Sequence, residues 1–262
     1  MALDPALIFT RAGLTPDPWQ SQVLRAKAPQ LLLNCSRQAG KSQTAAALAI
    51  DAAHSDAPAL VLVLSPSLRQ SQESFRVIMQ LYHQLRLGTV APDSESSLRV
   101  ELPNGSRIVA LPGKEATVRG YAKVGLLIID EAARVADVLY RAVRPMLAVS
   151  GGRIVCLSTP FGKRGFFHRE WTEGEGWERV RITAEQCPRI PASFLEQERK
   201  SMPEAWFRQE YFCEFSEAEG AVFSHADVMA ALTDNVRPLF DAPPPVEIGS
   251  DVEPLFALEG AR

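Results

Sequence analysis

The residues Cys35-Ser36-Arg37-Gln38-Ala39-Gly40-Lys41-Ser42 have the types and spacing to hold a polyphosphate. They follow the pattern G-x-x-x-x-G-K-[ST], with Cys35 in the place of the first glycine and an arginine, Arg37, inside the loop. A polyphosphate needs many donors and little side-chain bulk. The backbone N–H groups of such a loop and the positive end of the helix after it supply those donors. Gly40 permits close backbone approach, Lys41 reaches the β- and γ-phosphates, and Ser42 ligates Mg²⁺. The expected nucleotide contacts are Ser36, Arg37, Gln38, Ala39, Gly40, Lys41, Ser42 and Gln43, with ATP and Mg²⁺ as the ligands.

Two further groups of residues suit the same chemistry. Val124-Gly125-Leu126-Leu127-Ile128-Ile129 is an apolar run that ends in Asp130-Glu131. Acids at the carboxyl end of a buried strand stand where open α/β sheets bind ligands. Asp130 is expected to hold Mg²⁺, directly or through water. Glu131 is expected to orient and deprotonate the attacking water. The adjacent pair favours hydrolysis over phosphoryl transfer to a bound metabolite. A second run, Arg153-Ile154-Val155-Cys156-Leu157, ends in Ser158-Thr159-Pro160. Beside the Asp130 strand, Ser158 and Thr159 would sense the γ-phosphate and pass on its loss. An ordinary strand exit explains the same residues equally well on local grounds.

The elements that position these residues are those of an α/β domain. Leu31-Leu32-Leu33-Asn34 is a short buried strand, and Lys41 to Ile50 is rich in helix formers. A strand is expected over 59–65 and a helix from Ser67 to about Leu87, with Phe75, Ile78, Leu81 and Leu85 as its core face. Leu98 to Leu111 has the pattern of a hairpin turning at Asn104-Gly105. A helix is expected over 137–148, and helices again over 191–200, 203–213 and 225–232. The Asp130 strand is expected next to the strand that precedes the phosphate loop. The expected divisions are a leading segment 1–29, a core 30–185, a helical region 186–240 and a Pro-rich, disordered tail 241–262.

The chain has 262 residues, 46% hydrophobic and 23% charged, in the range of soluble globular proteins. Its formal net charge of −3 does not advertise nucleic-acid binding, although a local basic face is compatible with it. Cys35, Cys156, Cys187 and Cys213 have no metal-ligand spacing and suit reduced thiols in a cytosolic setting. No run has the length of a membrane span, and no secretory signal opens the chain.

From about Pro16 to about Leu232 the chain resembles the ATPase domain of the large terminase subunit, the motor that packages DNA into tailed-phage capsids. Five segments carry the resemblance in order: Pro18-Trp19-Gln20-Ser21-Gln22, the arginine-bearing loop 35–42, Leu126 to Ala133, Leu157-Ser158-Thr159-Pro160, and Trp206 to Phe215. The fold implied is a P-loop NTPase of the RecA-like (ASCE) class, a mostly parallel sheet flanked by helices, with a small helical C-terminal appendage. The resemblance implies that Trp19 and Gln20 contact the base and that Arg37 contacts the γ-phosphate in cis or relays its state. It implies that Arg119 is a finger inserted into a neighbouring subunit's site, with Arg134, Arg141 and Arg144 as the other candidates. The implied partners are double-stranded DNA held without sequence preference, further copies in a ring, the portal and the small terminase subunit. The implied setting is the host cytoplasm, without a membrane.

Lys163, Arg164 and His168 form a small basic cluster that could meet DNA phosphates, although short basic loops are usually just solvated. Gly249-Ser250-Asp251 lies where a first nuclease strand would begin in the family, but no set of metal-binding acids follows it, so nuclease activity is not expected. Two other readings stay open: a helicase-like ATPase, and a non-hydrolysing prophage remnant or assembly scaffold.

Overall fold

The apolar runs become strands because each can bury both faces. The structure, a computed structural model, describes residues 4–85, 94–113 and 120–216. Its strands are β1 (Gln30–Cys35), β2 (Leu60–Ser65), β3 (Ser94–Glu95), β4 (Arg99–Glu101), β5 (Arg107–Pro112), β6 (Leu126–Asp130), β7 (Arg153–Ser158) and β8 (Glu178–Ile182). They form one eight-stranded sheet in the order β3-β4-β5-β2-β6-β7-β1-β8. The pairs from β5 to β8 are parallel, and β3 and β4 are added antiparallel at one edge.

Successive residues of each parallel strand face opposite sides. Leu31, Leu33, Val61, Val63, Ile128, Val155 and Leu157 enter one core. Leu32, Leu60, Leu62, Leu64, Leu127, Ile129, Ile154 and Cys156 enter the other. The first core is covered by α1 (Leu7–Arg11), α2 (Pro18–Arg25), α3 (Lys41–Ser55) and α4 (Leu68–Gln84). Helix α3 is buried at Thr44 to Ile50 and at Ala53. Its alanines let it lie close to the sheet with α4 packed beside it. The second core is covered by α5 (Asp137–Val143) and α6 (Gly165–Thr172), whose Phe166 ring stacks on Tyr140 at 4.0 Å. Helices α7 (Ala192–Ser201) and α8 (Glu204–Phe212) form a small appendage around Ala184, Phe207 and Tyr211.

Several expectations are corrected. The phosphate-loop strand β1 is not beside the Asp130 strand β6, because β7 lies between them. That order follows from long-range pairing, which local patterns do not encode. Strand β8 and helix α6 were not expected. The sequence Glu178-Arg179-Val180-Arg181-Ile182 forms a half-solvated edge strand whose only fully buried residue is Ile182. The helix expected over 137–148 ends as α5 at Val143 and continues as a 3₁₀ turn, Arg144–Leu147, where Pro145 cannot supply a helical N–H. The hairpin at Asn104-Gly105 is present as the β4–β5 pair. The expected helix 225–232, the tail 241–262, Gly249-Ser250-Asp251 and Arg119 lie outside the described residues. Among the described residues, no helix is long and apolar enough to cross a membrane.

Candidate nucleotide-binding site

Strand β1 ends at Cys35, and the phosphate loop starts where that strand leaves the sheet. The Cys35 side chain is fully buried in the first core, and burial pushes its thiol far above the ordinary range. A buried small apolar side chain therefore occupies the position where the motif carries glycine. Gly40 caps α3 in the left-handed region at φ 97°, a conformation that favours glycine. A Cβ there would stand 2.9 Å from the Gln20 amide nitrogen and 3.0 Å from the Arg189 guanidinium.

Two neighbouring clefts open at this end of the sheet. One of about 590 Å³ is lined by residues that include Arg37, Lys41, Ser42, Glu131, Arg134 and Thr159. The other, of about 730 Å³, is lined by Leu14, Pro16, Asp17, Gln20, Pro188 and Arg189 among others. Gln38, Gly40 and Gln43 border both. The loop thus separates a polar, cation-bearing side from a more apolar side, the division that a triphosphate and a base require.

On the polar side, Lys41 Nζ donates to Thr159 Oγ1 at 2.8 Å and to Ser36 O at 3.2 Å. The lysine of the loop and the hydroxyl at the end of β7 are therefore in direct contact. Ser158 is buried, and its hydroxyl donates to Thr159 O at 2.7 Å. Glu131 lines the cleft from a left-handed backbone at φ 49°, and its N–H donates to Asp130 Oδ1 at 3.0 Å. Asp130 stands behind it, buried, with Oδ2 accepting from Ser74 Oγ at 2.8 Å. Ser74 gives a recognisable signal: it interrupts the apolar face of α4 one residue before Phe75.

Ser42 and Asp130 are hard oxygen donors, a hydroxyl and a carboxylate, next to a cleft with room for waters and phosphate oxygens. That donor set fits Mg²⁺, which keeps several waters. The buried position of Asp130, behind the cleft wall, suits contact through water.

Arg37 does not stand free in the cleft. Its guanidinium pairs with the Glu210 carboxylate of α8, and the Arg37 backbone N–H donates to Glu210 O at 2.9 Å. On the apolar side, Trp19 departs from the expected base contact. It is buried in the first core, lines neither cleft, and donates its indole N–H to Asp17 Oδ2 at 3.3 Å. Its large apolar ring gains more from the core than from an open pocket. Gln20 does line the pocket, but its amide is engaged. Oε1 accepts from Asp17 N at 2.9 Å, and Nε2 donates to Thr44 Oγ1 at 3.1 Å and to Gly40 O at 3.4 Å. Arg189 was not anticipated. It donates to Asp17 Oδ2 at 2.8 Å and Ala39 O at 2.9 Å, tying the loop to the start of α2 across more than a hundred residues. Arg144 lies at the other end of the sheet, bonded to Gln30 at the start of β1, and Arg141 bonds to Asp137 O.

A family model described as the N-terminal part of the terminase large subunit, T4likevirus-type, matches residues 32–228. The chain belongs to the terminase large-subunit family. It is 27% identical over 229 residues to the terminase large subunit of Escherichia phage T5, covering 82% of this chain and 51% of that protein. It is 25% identical to the large subunit of Thermus phage G20c, covering 86% and 53%. This terminase chain thus spans about half the length of the curated relatives it matches. In fold it is similar to the large terminase ATPase domain of Thermus phage P74-26, with TM-score 0.70, 22% identity and coverage of 81% and 99%. It is also similar to the large terminase of a thermophilic bacteriophage solved in complex with ADP, with TM-score 0.61, 13% identity and coverage of 76% and 53%. The sheet and its flanking helices are those of the P-loop NTPase fold.

The buried carboxylate of Asp130 carries an electrostatic cost in this terminase chain. Burial and then the charge of Glu131 push Asp130 up to about 6, against the pull of Ser74, Lys41 and the Glu131 N–H. The folded state therefore binds a proton that the unfolded chain, near its ordinary 3.8, has already released. Stability contributed this way is present at low pH and falls as pH rises from about 4 to about 6. Asp130→Asn removes the charge, and the Ser74 hydroxyl can accept from the new amide. In chelator, the variant is expected to be more stable than wild type at pH 8 by on the order of 2–3 kcal/mol. Denaturant melts at pH 4 and pH 8 check this: an equal or lower stability of Asp130→Asn at pH 8 would contradict it.

Proposed function

We propose that this chain is the ATP-hydrolysing part of a viral or prophage DNA-packaging motor, acting on double-stranded DNA in the host cytoplasm. The observation that carries the reading is the convergence of Lys41, Ser42, Glu131 and Thr159 on one cleft. Each has a role there. The loop N–H groups and Lys41 hold the β- and γ-phosphates. Ser42 and Asp130 hold Mg²⁺, which when bound neutralises charge on the phosphate oxygens. Glu131 accepts the proton of the attacking water. Thr159, already bonded to Lys41, senses the γ-phosphate through that lysine and links the site to the loop after β7.

Gln20 and Arg189 shape the base pocket through the loop and Asp17. Contact with the base through Gln20 requires its amide to exchange Gly40 or Thr44 for the ring. Trp19 supports that pocket from the core. Arg119 of one copy completes the site of the next, so the active form is a ring of copies, with the portal and small terminase subunit as partners in packaging. DNA is held mainly through phosphates, and Lys163 and Arg164 offer a basic surface for it, while burial and then Lys163 lower the pKa of His168 and keep its ring neutral.

Phosphate release from ATP and Mg²⁺, measured over a range of protein concentrations with and without duplex DNA, tests the proposal. Wild type is expected to turn over ATP at a per-subunit rate that rises with concentration. Lys41→Ala is expected to lose about 10²–10³-fold, as when one transition-state donor is removed. Turnover unchanged in Lys41→Ala, or absent from wild type with DNA, portal and small subunit supplied, would reject it.

A further inference from the structure

Three cationic side chains line the polar cleft, and they differ in what already neutralises them. Lys41 is bonded to Ser36 O and Thr159. Arg37 is ion-paired with Glu210. Arg134 lines the same cleft, and among the described residues no carboxylate pairs with it.

The backbone directs Arg134 there. Glu131 takes the left-handed conformation at φ 49° and starts a 3₁₀ turn, Ala132–Arg134, closed by Arg134 N donating to Glu131 O at 2.9 Å. Left-handed backbone in a non-glycine residue is costly and persists where the surroundings impose it. The turn returns residue 134 to the cleft that Glu131 lines. The guanidinium of Arg134 then rests 3.9 Å from the centre of the Phe161 ring, and Arg164 approaches the same ring at 4.4 Å. Phe161 follows Ser158-Thr159-Pro160, and Thr159 accepts from Lys41. A planar cation on an aromatic face keeps its edge N–H groups available to an anion.

The geometry points to Arg134 as a cis-acting ligand of the terminal phosphate of a nucleoside triphosphate, held in place by Phe161. The inference rests on the ATPase reading and extends it: within one subunit, Arg134 meets the terminal phosphate while Arg37 stays engaged with Glu210. Loss of that phosphate would release Arg134 from its anion and leave it on a ring of the loop that follows the Thr159 contact.

Equilibrium binding of fluorescent ATPγS and ADP with Mg²⁺, to wild type, Arg134→Ala, Arg134→Lys and Phe161→Leu, tests it. Arg134→Ala is expected to weaken ATPγS by about tenfold or more and ADP by less than about twofold, since a charge-assisted contact to the terminal phosphate is lost. Arg134→Lys and Phe161→Leu are expected to fall between wild type and Arg134→Ala for ATPγS alone. Retained ADP binding shows that the variants are folded. Equal losses for both nucleotides, or none for ATPγS, would overturn the assignment. A second arm mixes Arg134→Ala with Glu131→Gln subunits and measures turnover. A cis role predicts no recovery, because each subunit carries its own defect, and recovery would overturn it. Wild type that binds neither nucleotide would overturn the ATPase reading itself. Wild type that binds both, with Arg134→Ala unchanged, removes Arg134 alone.

Discussion

Glu131→Gln is expected to cut ATP turnover by about 10²–10⁴-fold while leaving ATPγS affinity within about twofold of wild type, the signature of a lost general base. Glutamine keeps the shape of the side chain and leaves the backbone N–H free to donate to Asp130 Oδ1. It removes the basicity together with the negative charge. The position is well defined, because the left-handed backbone at φ 49° and the bond to the buried Asp130 hold it at the cleft wall. Removing a charge next to Asp130 also relieves one cause of its raised pKa, so the variant should not be less stable above pH 6. Single-turnover phosphate release and ATPγS titration together check this. Retention of more than about a tenth of wild-type turnover would remove Glu131 from the role of base.

Arg119→Ala carries the largest expected effect, a loss of about 10³–10⁵-fold in turnover if the residue is a finger from the neighbouring copy. The proposal makes a sharper demand than inactivity. An Arg119→Ala subunit keeps its own Lys41, Asp130 and Glu131. A Glu131→Gln subunit keeps its own Arg119. Each variant alone is expected to be inactive, and an equimolar mixture is expected to recover turnover at interfaces where a Glu131→Gln copy serves an Arg119→Ala site. Failure of the mixture to exceed the sum of its parts, under conditions where wild type forms rings, would argue against a trans role. The contrast with Arg134 is direct, since a cis residue gains nothing from such mixing.

Much of the site was legible in the chain because its chemistry is local. The phosphate loop, the Asp130-Glu131 pair and Ser158-Thr159 each follow a run of apolar residues. A strand buried on both faces puts its last residues at one edge of a parallel sheet. The reading of Cys35 also becomes simple once the strand is seen to end there, with the thiol in the core. What was missed has weak local pattern. Strand β8 alternates charged and apolar residues from Arg179 to Ile182 and lies at an edge, so it lacks the continuous apolar run that marked the others. The family resemblance implies a base contact for Trp19, whose indole lies in the first core and lines neither cleft.

The sequence by itself determined the chemical groups available and the strands and helices that carry most of them. It did so because hydrophobic period and backbone requirements act over a few residues. Only the tertiary structure decided which groups meet. The insertion of β7 between β6 and β1 brought Thr159 against Lys41, 118 positions away in the chain. The return of α8 engaged Arg37 with Glu210, 173 positions away, and the segment after β8 put Arg189 against Asp17, 172 positions away. Those contacts depend on how the sheet is ordered, an outcome of packing both faces at once. They also show that Arg37, on the cleft wall, is already paired with Glu210.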